Sequence, residues 1–154
     1  MQYQYQCFND ANNIYMVDLM FSYIHLKSPP TEWLRVDSLL SNLQDESWGD
    51  VRRGIRYSPQ QVLLAPRKYK AEMSRIQAAD LKFPIIVWRG NIVDGVHRLC
   101  KAISLNKQTI KAHIFDDALM KKFIVVKGSV DYKQLDSLRA HQLVDLFVKR
   151  FGLA

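Results

Sequence analysis

The run FPIIVW at residues 83–88 constrains this chain most. It is continuous, apolar and β-branched, which predicts a buried strand. The residues after it are tightly punctuated. RGN (89–91) reads as a tight turn, Ile92-Val93 as a second short strand, and Asp94-Gly95 as a corner. A helix is expected from Val96 to about Leu105, then a loop at NKQ. TIKAHIF (109–115) alternates as a strand should. Strands and helices in this order predict an α/β (α+β) domain, with a small mixed sheet and flanking helices.

The remaining segments are read around that centre. Residues 10–26 are expected to be helical: Asn9 or Asp10 can cap, and Ile14, Val17, Phe21 and Ile24 recur at helical steps. SPP (28–30) ends that element. TEWLRVDSLLSNL reads as a short strand entering a helix, and DESWGDVRRG (45–54) as a polar loop. RYSPQQVLLAP (56–66) is expected to be extended or turn-like, and 67–81 helical, with Tyr69, Met73 and Ile76 on one side. The rest reads as largely helical, ending on an apolar stripe of Leu135, Leu138, Leu143, Leu146 and Phe151. Residues 1–30 are assigned to a helical N-terminal extension and 31–154 to the domain proper.

The chain has 154 residues, about one domain, and 48% of them are hydrophobic, enough for a core. A net charge of +7 suits an anionic partner: nucleic acid, a nucleotide or an acidic surface. The plain alternative is solvated Lys and Arg. Two cysteines, Cys7 and Cys100, form neither a metal-ligand spacing nor a disulfide framework, so a reducing compartment is expected. The N-terminus lacks the pattern of a signal peptide, and Ile14–Leu26 is too short and polar to span a bilayer. The expected location is cytoplasmic, with no membrane partner. Composition does not indicate an oligomeric state.

The corner at 94–98 carries the chemistry. On a helix turning about 100° per residue, Val96, Leu99, Cys100 and Ile103 share one side, the core side. His97, Arg98 and Lys101 share the other. Gly95 permits a sharp turn and close approach of a ligand. The first N–H groups of the helix lack helical partners and sit at its positive end, which suits a phosphate. His97, Arg98 and Lys101 would add side-chain donors, Arg98 in bidentate fashion. The alternative is an ordinary strand-to-helix turn, with Asp94 as cap and the cations solvated.

The stretch FPIIVWRGNIVDGVHRLCKAISLNKQTIKAHIF resembles the core of the ParB/sulfiredoxin superfamily, over roughly residues 56–116. The shared pattern is a PIIV-type strand, a turn, a short strand, a DG-x-HR helix start, a loop and a strand. The resemblance implies a ParB/sulfiredoxin-like fold with ATP or CTP, together with Mg²⁺, bound at the corner. Gly95, His97 and Arg98 match its phosphate contacts; Lys101 is added on geometry. It also implies a phosphotransferase or nucleotide hydrolase, or a non-catalytic module that binds DNA or a protein partner. Two departures limit it. Sulfiredoxin chemistry needs a cysteine directly before His-Arg, where this chain has Val96, and Cys100 is turned to the core. Only about 38 residues follow Asp116, too few for the further domains of a complete partition protein.

Phosphoryl transfer also calls for a carboxylate near the phosphates. Asp94 and Glu72 are the catalytic candidates, against a cap and a solvated helix residue respectively. Asp116-Asp117 is weighed as a Mg²⁺ site against a helix cap, and no metal site is assigned. Arg52, Arg53, Arg56, Arg67, Lys68 and Lys70 form the densest basic region, a candidate surface for nucleotide or nucleic-acid phosphates. Tyr57 and Tyr69 lie among them as candidate stacking residues. His25, His113 and His141 show no metal-ligand spacing.

Overall fold

The computed structural model describes residues 5–50 and 53–152. In chain order the elements begin with β1 (Cys7–Asn9), β2 (Ile14–Met16), α1 (Val17–Lys27) and β3 (Glu32–Arg35), then a 3-10 helix (Val36–Gln44). Next come α2 (Pro59–Leu64), α3 (Lys70–Ala78), β4 (Ile85–Trp88), β5 (Asn91–Asp94), α4 (Val96–Ser104) and β6 (Thr109–Phe115). The chain continues with α5 (Asp117–Lys121), β7 (Ile124–Val126), α6 (Tyr132–Asp136) and α7 (Ala140–Phe151). The class is mixed α and β, with two small sheets and flanking helices.

The contacts divide the chain into two compact units. One combines residues 1–29 with 115–154; the other is 30–114. The C-terminal residues thus group with the N-terminal segment. The link is a three-stranded antiparallel sheet in the order β1-β2-β7. Around it Tyr23, Phe115, Phe123, Phe147 and Phe151 build an aromatic core, with ring centroids 4.6–5.9 Å apart. Leu135 and Leu143 of the C-terminal stripe are buried.

Two expectations need correction in this unit. The helix expected over 10–26 begins only at Val17, because Ile14–Met16 is a strand pairing on both edges. All three of its side chains are buried. The tail expected to be helical contains β7.

The unit 30–114 is built on the four-stranded sheet β3-β6-β4-β5. All four residues of β4 are buried, as the apolar run demands. β4 and β5 form an antiparallel hairpin through Arg89-Gly90, both at positive φ. Asn42 of the 3-10 helix clamps it: its amide donates to the Gly90 carbonyl at 3.2 Å, and its Oδ1 accepts from Ile92 N–H at 2.8 Å.

Residues 59–64 are helical, not extended. Ser58 explains why: its Oγ accepts from Gln61 N–H, the Gln61 side chain accepts from Ser58 N–H, and Pro59 opens the helix. Two clusters of side chains fill the unit. Val36, Leu39, Ile85, Val87, Ile92, Leu99, Ala102, Ile110 and Ala112 pack at the sheet. Val62, Ile76 and Cys100 form the other, joining α2, α3 and α4.

Cys100 is thus a core residue, and burial, aided by the nearby Glu72 carboxylate, pushes its thiol up to about 12. Cys100→Ser places a hydroxyl where no partner is arranged and is expected to cost about 1–3 kcal/mol. Chemical denaturation checks this, and an unchanged midpoint would mean the position tolerates a polar group.

Candidate functional site

The DG-x-HR corner folds for reasons internal to the chain. Gly95 has φ +112°, and a Cβ there would lie 2.5 Å from Ile85 Cγ2. Glycine is therefore required by the packing of β4 against the corner. Gly95 is also the N-cap of α4, and no side chain closes that helix end. Asp94 is not the cap. It accepts a hydrogen bond from Arg98 at 2.6 Å. Leu99 N–H is the first to bond back, to the Gly95 carbonyl, so the amides of Val96, His97 and Arg98 precede the helical ladder.

The three cations at this corner have different roles. Arg98, besides pairing with Asp94, donates to the carbonyls of Phe83 at 3.1 Å and Pro84 at 2.7 Å. Its side chain is 17% exposed. Lys101 donates to the carbonyls of Gln77 at 2.8 Å and Ala79 at 2.6 Å, at the end of α3. The wheel suggests free donors for phosphate at both positions; both side chains are committed to the chain's own acceptors. His97 differs.

Nε2 of His97 lies 2.7 Å from Oε2 of Glu72, and the imidazole stacks on the Trp48 indole with centroids 4.3 Å apart and planes 13° apart. One third of the His97 side chain remains exposed.

Glu72 is the centre of this arrangement. It sits in the first turn of α3 and is buried, only 5% exposed. Its other oxygen, Oε1, accepts from Tyr57 Oη–H at 2.9 Å and Arg75 Nη1–H at 3.2 Å. Burial pushes the carboxyl up, but hydrogen bonds from His97 and Tyr57, with the charges of His97 and Arg75, outweigh it. Glu72 is therefore held below its ordinary value. Tyr57 responds oppositely: burial and the Glu72 carboxylate both raise its phenol.

Trp48 and Tyr57 lie side by side ahead of α2. They form a two-way backbone bridge, Trp48 N–H to Tyr57 O at 3.2 Å and Tyr57 N–H to Trp48 O at 3.1 Å. Gly49, at φ +99°, fits under the Ile55 carbonyl, where a Cβ would lie 2.5 Å from the oxygen. Tyr57 also packs on Tyr69, with centroids 4.7 Å apart.

The sequence singles out Glu72 and His97 separately, and the structure brings them together. The sequence reading gives no role to Trp48 or Arg75. Arg75 follows Glu72 by three residues, a helix-neighbour spacing that signals the pair; Trp48 carries no comparable local signal.

Of the basic residues, Arg53, Arg56, Arg67, Lys68 and Lys70 are exposed or half-exposed, and Arg52 lies outside the described residues. Asp116 caps α5 through Leu119 N–H at 2.8 Å. His113 is buried and bonded to the Pro30 carbonyl, while His25 and His141 are exposed. Among the described residues no group of three His, Cys, Asp or Glu side chains is placed to hold a metal ion. No described helix is long and apolar enough to cross a membrane. No family model, curated protein or solved structure matches this chain.

This geometry has two measurable consequences. Arg98→Ala leaves Asp94 and two carbonyls without their donor and is expected to cost stability, about 1–3 kcal/mol, in the absence of any ligand. Thermal unfolding of the purified variant tests it; an unaltered midpoint would free Arg98 for another role. For Glu72, a value lowered by folding means its stabilisation is present above the unfolded value of about 4.3 and fades as pH falls below it. Glu72→Gln is therefore expected to lower stability at neutral pH and flatten the loss below about pH 5. Urea midpoints taken across that range would show an unchanged acid limb if Glu72 were not the group responsible.

Proposed function

We propose that this protein binds the phosphates of a nucleoside triphosphate, ATP or CTP, at the first turn of α4. The observation that carries the proposal is His97: a partly exposed imidazole, oriented by a buried carboxylate, in the first turn of a helix whose N-terminus no side chain caps. Three amides ahead of the ladder and the positive end of the helix suit a phosphate, and a glycine backbone stands beside them. The ParB/sulfiredoxin-like pattern of the corner supports the same reading. Arg98 and Lys101 support the corner from within the protein, leaving His97 as the main side-chain contact. Mg²⁺ fits as a companion of the nucleotide, carried on its phosphates, since the described residues offer no cage of their own.

A second reading has its own observation. Arg53, Arg56, Arg67, Lys68 and Lys70 all reach solvent within one short stretch. They suit a binding module that engages DNA or an acidic protein without turnover.

Calorimetric titration with ATP and with CTP, each with Mg²⁺, separates the two. Binding is expected to weaken about 10- to 150-fold in His97→Ala, the loss of one charge-assisted contact. If neither nucleotide binds, the proposal fails and salt-dependent binding of duplex DNA, with the basic residues neutralised in turn, becomes the deciding measurement.

A further inference from the structure

The pairing of His97 with Glu72 points beyond binding. In the imidazolium form both nitrogens of His97 carry N–H, so Nδ1 can donate to a phosphate; in the neutral ring the carboxylate fixes the tautomer, with the proton on Nε2 and the lone pair on Nδ1. The carboxylate also stabilises the positive charge the ring acquires when Nδ1 forms a bond. Glu72 has what this requires: it is buried, held ionised by Tyr57 and Arg75, and 2.7 Å from Nε2. Trp48 stacks on one face of the ring, which restricts its rotation. Nδ1 itself has no hydrogen-bond partner among the described residues, although the side chain is one-third exposed.

The other side chains around the first turn of α4 are unsuited to attack. Cys100 is buried with its thiol pushed up to about 12. The Lys101 ammonium is held by two carbonyls, and the Asp94 carboxylate by Arg98. Of the described side chains compared at this corner, His97 is the nucleophile that remains.

We infer that His97 accepts a phosphoryl group on Nδ1, with Glu72 as its positioning residue. This deepens the nucleotide reading and rests on it. The Nδ1 lone pair attacks the terminal phosphorus of the nucleoside triphosphate. An N–P bond forms, the P–O bond to the β-phosphate breaks, and the electron pair leaves with the nucleoside diphosphate. No proton moves: the proton stays on Nε2, hydrogen-bonded to the Glu72 carboxylate, whose charge balances the phosphorylated imidazolium. The new phosphoryl group lies in the first turn of the helix whose positive end favours it.

The test uses the full chain with Mg²⁺ and ATP or CTP, whichever binds by calorimetry. Two readouts are taken: isotope exchange of labelled nucleoside diphosphate into triphosphate, and intact mass after alkaline quench with peptide mapping. Exchange detects a reversible covalent step even when the adduct is short-lived. The expected result is exchange, with one acid-labile, alkali-stable phosphoryl group on His97. His97→Gln is expected to abolish both while remaining folded by circular dichroism. Glu72→Gln is expected to slow exchange about 10- to 100-fold with nucleotide affinity largely retained. If Glu72→Gln does not fold, Tyr57→Phe, which removes one donor to the carboxylate, is the substitute and is expected to change the exchange rate more than affinity. Nucleotide binding without exchange or adduct overturns the phosphoryl step and leaves the binding site standing. An adduct on any other residue also overturns it. No binding of either nucleotide overturns both proposals.

Discussion

The unit 30–114 depends on one buried charge. Taking a carboxylate out of water costs several kcal/mol unless its lone pairs find donors. Glu72 finds them on three separate stretches of chain: Tyr57 from the loop before α2, Arg75 from its own helix, and His97 from the start of α4. Satisfying one side chain thus fixes the loop, α3 and α4 with respect to each other. The same contacts orient the imidazole. Stability and chemistry share these bonds, so the fold cannot keep Glu72 buried without also presenting His97 in one way.

A second economy operates among the cations of the corner. Carbonyls at helix ends and at the entry to a strand need donors as much as any ligand does. Arg98 answers Phe83 and Pro84 at the approach to β4; Lys101 answers Gln77 and Ala79 where α3 ends. Guanidinium and ammonium groups have the reach for this, and a short imidazole does not. The residue that serves no backbone carbonyl is therefore the one with the shortest side chain, and it is also the one whose proton can be placed by a neighbour.

Much of the fold is legible where a single period rules the segment. The IIVW part of FPIIVW forms the fully buried β4, while Phe83 ahead of it is exposed; TIKAHIF alternates and forms β6; the helical period from Val96 turns Leu99 and Cys100 inward. Short elements escape because a few residues carry no period. Ile14–Met16 lies at the head of a helical pattern and merges with it, although β1 and β7 pair with it. Residues 59–64 contain a capping box, S-x-x-Q with proline at the first helical position, but the flanking prolines suggest an extended segment instead. β7 owes its strand to pairing with residues far away in the chain.

The sequence by itself determined the class of fold, the strand-turn-strand-helix corner, the inward face of α4, and the candidacy of Glu72 and His97 as separate residues. These come from local steric preferences and apolar periodicity, which act over a few residues. Only the tertiary structure decided that Glu72 is buried rather than solvated, that it meets His97 at 2.7 Å across 25 positions, and that Trp48 covers the ring. It also decided that Arg98 and Lys101 serve the chain's own carbonyls. Those outcomes depend on which hydrogen-bonding groups packing brings within about 3 Å of one another, and no local pattern of residues encodes that distance.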